Sequence, residues 1–139
     1  MTQYYAKIAL AALLLAAGFT AFLSMMARLG RPGDEARSER LRRLHKKAGW
    51  TFVVLLAPLV VLGADFLAEA GEGLTTRAVF HFALAAALVA AALIKVLIVK
   101  AYRQQLKHAQ ALGLTLFGLT LVTFLITAAY FVVVKLFAE

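Results

Sequence analysis

Apolar and polar positions along the chain fall into four long apolar runs separated by short charged stretches. Ile8–Ala27 contains no charge, and Ala48–Ala64 is likewise uncharged and continues to Ala68 past Asp65. A third run begins near Ala78 and reaches Val99, interrupted only by Lys95, whose long side chain can snorkel from the last turns. The fourth, Ala109–Val134, is the longest and has room to tilt. About 20 residues at 1.5 Å rise are enough to cross the hydrocarbon core of a bilayer. None of the runs alternates apolar and polar residues as a membrane barrel strand would, so each predicts a spanning helix. The expectation is an all-α integral membrane four-helix bundle, a single transmembrane domain over residues 1–139 with spans of about 5–28, 46–68, 76–100 and 109–135.

Local signals refine this outline. Gly30-Arg31-Pro32-Gly33 predicts the end of the first helix, and Ser38 predicts the cap of a basic helical extension, Glu39 to Lys47, running into the second span. Pro58 predicts a kink in mid-span. Thr120, Thr123 and Thr127 share one side of the fourth helix and are expected to bond to backbone carbonyls or to a neighbouring helix. Lys7 followed by an apolar stretch resembles a signal peptide. The stronger positive flank lies after the segment, however, which predicts a retained first helix.

Composition agrees with the pattern. Hydrophobic residues make up 63% of the chain and charged residues 16%, and the mean hydropathy is +0.86. That excludes a disordered or fibrous chain and weighs against a soluble enzyme. Cysteine is absent, which removes disulfides, thiolate metal sites and Cys nucleophiles. The net charge of +8 has to be read by position. Residues 28–47 hold Arg28, Arg31, Arg37, Arg40, Arg42, Arg43, Lys46 and Lys47 against three acids, and residues 95–108 hold Lys95, Lys100, Arg103 and Lys107 against none. Residues 65–77 are acidic instead, with Asp65, Glu69 and Glu72 against Arg77. The positive-inside rule then predicts the first and third loops in the cytoplasm, both termini on the non-cytoplasmic side, and a multi-pass protein of the inner (plasma) membrane. The bland role of the basic extension is attraction to anionic headgroups, about 1 kcal/mol per basic residue. No aromatic residues interleave with these charges, so nucleic acid is not an expected partner.

Few residues can carry chemistry. There is no HExxH, no glycine-rich phosphate loop, no paired carboxylates and no intramembrane acidic array, so hydrolase and phosphoryl-transfer functions fall away. Three histidines remain, each near the start of a span: His45, His81 and His108. The second and fourth helices run parallel, so His45 and His108 are expected at one depth, on diagonal neighbours of the bundle. Two neutral imidazoles so placed are what a six-coordinate haem iron requires. Gly49, one turn after His45, leaves room for a flat macrocycle. Arg42, Arg43, Lys46, Lys95, Lys100 and Arg103 are expected partners for haem propionates. On the third helix His81, Ala85, Leu88, Ala92 and Lys95 share a small-sided stripe. His81 lies at the opposite end, with three roles open: a hydrogen-bonding core residue, a quinone contact, or a ligand of a second haem. Taken singly, His45 and His108 also suit a plain basic interface, and the Ala/Gly faces suit close helix packing.

The string Leu41-Arg-Arg-Leu-His45-Lys-Lys-Ala-Gly49-Trp50, with Arg77-Ala-Val-Phe-His81 and His108 followed by Gly113, resembles the haem-bearing helices of the cytochrome b561 and ferric reductase-like membrane cytochromes. The resemblance covers roughly residues 38–134. It implies four core helices holding b haems between histidines of parallel helices, with His45 and His108 as one pair and electrons passing across the membrane. The sequence departs from that pattern on the first helix. It has no histidine to pair with His81, only Tyr4, Tyr5 and Lys7 near the same depth. One haem b is therefore expected, with a second site and a quinone left open. The implied function is a b-type cytochrome passing single electrons between the quinone pool and a redox protein partner, alone or as a homo-oligomer in the lipid bilayer. The alternative from another class is a cofactor-free accessory subunit packed into a larger membrane complex. A copper or other metal carrier has little support, since Met25-Met26 is the one methionine pair and no cysteine supplies soft ligands.

Overall fold

A computed structural model describes residues 2–30, 34–71 and 73–137, apart from the side chains of residues 2–4, 103, 135 and 136. Every regular element among the described residues is helical. Helix α1 covers Thr2–Leu29, α2 Glu35–Ala70 and α3 Thr76–Lys100. A 3-10 turn at Arg103–His108 leads into α4, Ala109–Phe124, which passes through a π-helical turn at Leu125–Ala129 into α5, Tyr130–Phe137. Four helical stretches are long and apolar enough to cross a membrane, the fourth being the continuous Gln104–Val134. The protein is thus an all-α, multi-pass membrane bundle.

Helix α2 begins one turn earlier than Ser38 predicts. Asp34, in extended conformation, accepts a hydrogen bond from the Arg37 N–H at 2.9 Å and caps the helix, with Glu35 favourably placed in its first turn. Ser38 is left inside the helix, where its hydroxyl accepts from Arg28 Nε at 3.2 Å. With 36 residues, α2 extends about 54 Å at 1.5 Å per residue. A hydrocarbon core is only about 30 Å thick, so the charged N-terminal turns stand outside it. The helix runs unbroken through Pro58 and stops at Gly71, whose φ of +52° favours a residue without a side chain. Residues 31–33, expected to end the first helix, lie outside the described residues.

The threonines of the last span behave as expected. Thr120, Thr123 and Thr127 donate to the carbonyls of Leu116, Leu119 and Thr123 at 2.7, 2.7 and 2.6 Å. Each such bond competes for a carbonyl of the helical ladder, and the π-turn begins directly after Thr123 and Phe124.

Helix α1 packs most extensively on α2, α3 on α4, and α1 on α4, whereas α2 and α3 touch only sparsely. The core holds Leu14, Phe52, Leu88, Ala91, Ala92 and Leu116, drawn from all four spans. Gly18 allows the close approach of α1 and α2: a Cβ there would meet the Phe52 ring at 3.3 Å. Phe22 stacks on Phe117 at 4.8 Å and ties α1 to α4. Large apolar side chains such as Leu13, Phe19, Val54, Val61 and Leu93 point outward, as a lipid environment requires.

Gly18 and Gly118 therefore make a matched pair. Gly18→Leu should destabilise the bundle by about 1–3 kcal/mol through overpacking against Phe52. At Gly118 nothing lies within 4 Å of an added Cβ, and Gly118→Ala should be neutral or slightly stabilising. Thermal unfolding of both variants in one detergent checks the contrast.

Candidate cofactor cavity

The loose α2–α3 seam has a consequence at the end of the bundle that carries the two basic loops. The core layer contains Phe52, Ala92 and Leu116, with Gly18 against Phe52. Three residues nearer the basic end on each helix, about 4.5 Å away at 1.5 Å per residue, stand Ala21, Gly49, Lys95 and Gly113. Three of these four have nothing beyond a Cβ. The layer is therefore hollow, and it opens into a cavity of about 280 Å³.

Each helix lines this cavity with a single stripe at helical spacing. The stripe on α1 is Gly18, Ala21, Phe22 and Met25, and on α4 it is Gly113, Leu116 and Phe117. Helix α2 contributes Arg42, His45, Lys46, Gly49, Trp50 and Val53 with Phe52 beside them, and α3 contributes Ala92, Lys95, Val96, Val99 and Lys100. The floor is aromatic and the walls are aliphatic. The charged lining residues, Arg42, Lys46, Lys95 and Lys100, are all cationic.

His45 is fixed by one bond. Its Nδ1 lies 2.8 Å from the Ala21 carbonyl oxygen, which also accepts from Ser24 Oγ at 2.9 Å. A carbonyl cannot donate, so Nδ1 carries a proton, and in the neutral ring Nε2 is the nitrogen with the lone pair. This is the tautomer and the outer hydrogen bond that a metal-ligating imidazole uses. Gly49, one turn on, has nothing within 4 Å of an added Cβ, so the space beside the imidazole is open. A flat, largely apolar, acid-bearing cofactor such as haem fits this donor set: an oriented imidazole, an empty face and a cationic rim.

A second chamber of about 610 Å³ adjoins the first and shares Met25, Arg42, His45, Lys95 and Val99 with it. Its other walls are mostly polar and lie towards the first loop, among them Ser24, Arg28, Asp34, Glu35, Ser38 and Gln110. His45 and Lys95 thus stand between an apolar cavity and a polar vestibule. Above the seam Lys100 Nζ rests 4.8 Å from the Trp50 ring centroid and links α3 to α2.

No family model, no curated protein and no solved structure matches the chain.

Of the residues singled out from the sequence, Arg42, His45, Lys46, Gly49, Lys95 and Lys100 meet at this cavity. His108 does not join them. It is exposed at the junction of the 3-10 turn and α4, and lines neither chamber. The cause is helical phase. His108 precedes Gly113 by five residues, about 140° around a helix at 100° per residue, whereas His45 and Gly49 are four apart and about 40° off. Arg43 is also outside the cavity, exposed and paired with Glu39 at 3.0 Å. The side chain of Arg103 lies outside the described ones. His81 is about 21 Å from Lys95 along α3, at the far end of the bundle. Its Nδ1 is buried without a hydrogen-bond partner among the described residues. Nearby, Phe82 stacks on Phe66, and Lys7 Nζ lies 5.8 Å from the Phe66 ring centroid. Sequence reasoning missed Met25, Trp50, Gly18 and the Ala21 carbonyl. The 18-21-22-25 spacing was a visible stripe, but an acceptor on the backbone leaves no mark in a sequence.

Glu39 organises the basic extension by accepting from Arg42 at 2.7 and 2.9 Å and from Arg43 at 3.0 Å. Those hydrogen bonds, Arg42 first and Arg43 second, hold its carboxyl at about 2, against an ordinary 4.5. A carboxylate held low supports the fold above its unfolded value and gives up that support as pH falls towards 2. NMR titration should therefore find the Glu39 midpoint near 2, returning towards 4.5 in the Arg42→Ala, Arg43→Ala double variant.

Proposed function

We propose that the protein is a b-type membrane cytochrome that carries single electrons at its basic end, in which His45 would hold a haem in the α2–α3 cavity. The observation that carries this reading is the His45 Nδ1–Ala21 carbonyl bond, which leaves Nε2 as the free nitrogen of a ring lining an open apolar cavity. A bound b haem supplies one-electron chemistry at its iron, with no substrate bond made there.

The residues of the chain do the remaining work. Gly49 leaves space beside the imidazole, and Phe52 with Phe117 forms a dry floor. Lys46 and Lys100 provide charge for two carboxylates, and Arg42, held by Glu39, stands at the rim beside them. Burial among apolar walls disfavours the charged state of a redox group, whereas surrounding cations favour added negative charge, so together they set its potential. The positive-inside rule assigns this end to the cytoplasmic face of the plasma membrane. The apolar cavity lies on the sparsely packed seam and the vestibule faces the loops, which suits exchange between a quinone in the bilayer and a protein in the cytoplasm.

The test is a reduced-minus-oxidised spectrum of the purified full chain with haem counted per chain. A b-type band at about one haem per chain is expected. His45→Ala should abolish it and Gly49→Leu should strongly reduce it, while Arg43→Ala should leave it intact. A colourless wild-type preparation from haem-replete cells would overturn the reading and favour a cofactor-free accessory subunit.

A further inference from the structure

Lys95 is the one side chain longer than a Cβ in the hollow layer. Its Nζ reaches α4 beside Gly113, where an added Cβ would come within 3.0 Å of it. A side chain on α4 at that point would displace the amine, so the glycine keeps its place open. Lys95 lines both chambers, yet among the described residues its Nζ has no acceptor or acid in reach. Several other cations nearby are engaged: Arg42 and Arg43 by Glu39, Arg28 by Ser38, and Lys100 by the Trp50 ring, while Lys46 lines the cavity from α2. An amine without a protein partner inside a spanning helix is costly, and such residues mark sites.

We infer that Lys95 is the second axial ligand of the haem, opposite His45. This inference rests on the haem reading above. A flat ring between two parted helices presents one face to each, and the parted helices here are α2, which carries His45, and α3, which carries Lys95. Met25 also lines the cavity, but it belongs to α1, whose Ala21 carbonyl already holds the His45 ring. Its Sδ stands 4.0 Å from the added-Cβ position at Gly113 that Lys95 Nζ approaches to 3.0 Å, so the choice between them rests on α1 not being one of the two parted helices. His108 lies outside the lining. Ligation uses the amine lone pair, so the ammonium releases one proton, and the polar vestibule that Lys95 also lines carries it to water.

The experiment reads spin state by visible and EPR spectroscopy on the full chain, with far-UV circular dichroism as the control for folding. Wild type should be six-coordinate and low-spin, with a near-infrared charge-transfer band distinct from that of a bis-imidazole haem. Lys95→Arg keeps the charge but removes the ligating amine, and should give a five-coordinate high-spin haem still held by His45. Lys95→Met offers a thioether and should also lose the wild-type spectrum. Lys95→His should restore low spin with a bis-imidazole signature, and His108→Ala should change nothing. A Lys95→Arg variant that stays low-spin would overturn the inference in favour of a cationic partner for a haem carboxylate. Conversion to high spin by His108→Ala, or a high-spin wild type, would overturn it as well. A wild type without haem would instead remove the haem reading itself.

Discussion

The hydrogen bond from His45 to the Ala21 carbonyl joins α1 to α2 at 2.8 Å, within the most extensive helix contact of the bundle. A helix carbonyl normally serves one N–H, and this one also takes Ser24 Oγ at 2.9 Å. The arrangement spends two side-chain donors on one oxygen to hold an imidazole against α1. It has two consequences. Towards α1 it fixes the ring, and with the ring the tautomer. It leaves Nε2 with no hydrogen-bond partner among the described residues, beside a glycine with open space next to it.

The rest of the packing supports that opening from below. Phe52 fills the volume that Gly18 leaves, and with Ala92 and Leu116 it seals the core one layer beneath the cavity. Had the next layer carried leucines, α2 and α3 would have a reason to close. Instead it carries Ala21, Gly49 and Gly113, with Lys95 as the exception. Small residues at helix contacts in membranes normally let backbones approach. Here α2 and α3 stay apart, and the small side chains leave space.

The fold was almost wholly legible, because a bilayer demands long apolar helices and the four runs announce them. The site was legible only in part, for reasons that differ by residue. His45 and Gly49 share a face by simple spacing, so the stripe could be read directly. Matched depth, diagonal parallel helices and the family resemblance pair His108 with His45, but its five-residue offset from Gly113 turns it off the α4 stripe. The 3-10 turn before α4 also takes it out of the α-helical phase that a pairing by depth assumes. Asp34 displaced Ser38 as the α2 cap because either side chain can cap, and the acidic Glu35 after Asp34 strengthens the earlier start. The Ala21 carbonyl was beyond reach, since backbone acceptors are the same at every residue.

Energetics separate a packing defect from a site. An intramolecular hydrogen bond contributes about 0.5–1.5 kcal/mol net, and a lysine placed in a spanning helix costs about 2.5–3.5 kcal/mol at the centre and less towards an end. Lys95 stands in the last turns of α3, where the cost is reduced, and no ion pair among the described residues offsets what remains. A bundle selected only to pack would gain by replacing Lys95 with leucine and closing the seam. An occupant that binds the imidazole, neutralises or ligates the amine and covers the apolar walls would turn each of these costs into a contact. On the proposed reading one ligand would account for the oriented histidine, the open space at Gly49, the unpaired lysine and the parted helices together, whereas packing alone leaves each needing its own explanation.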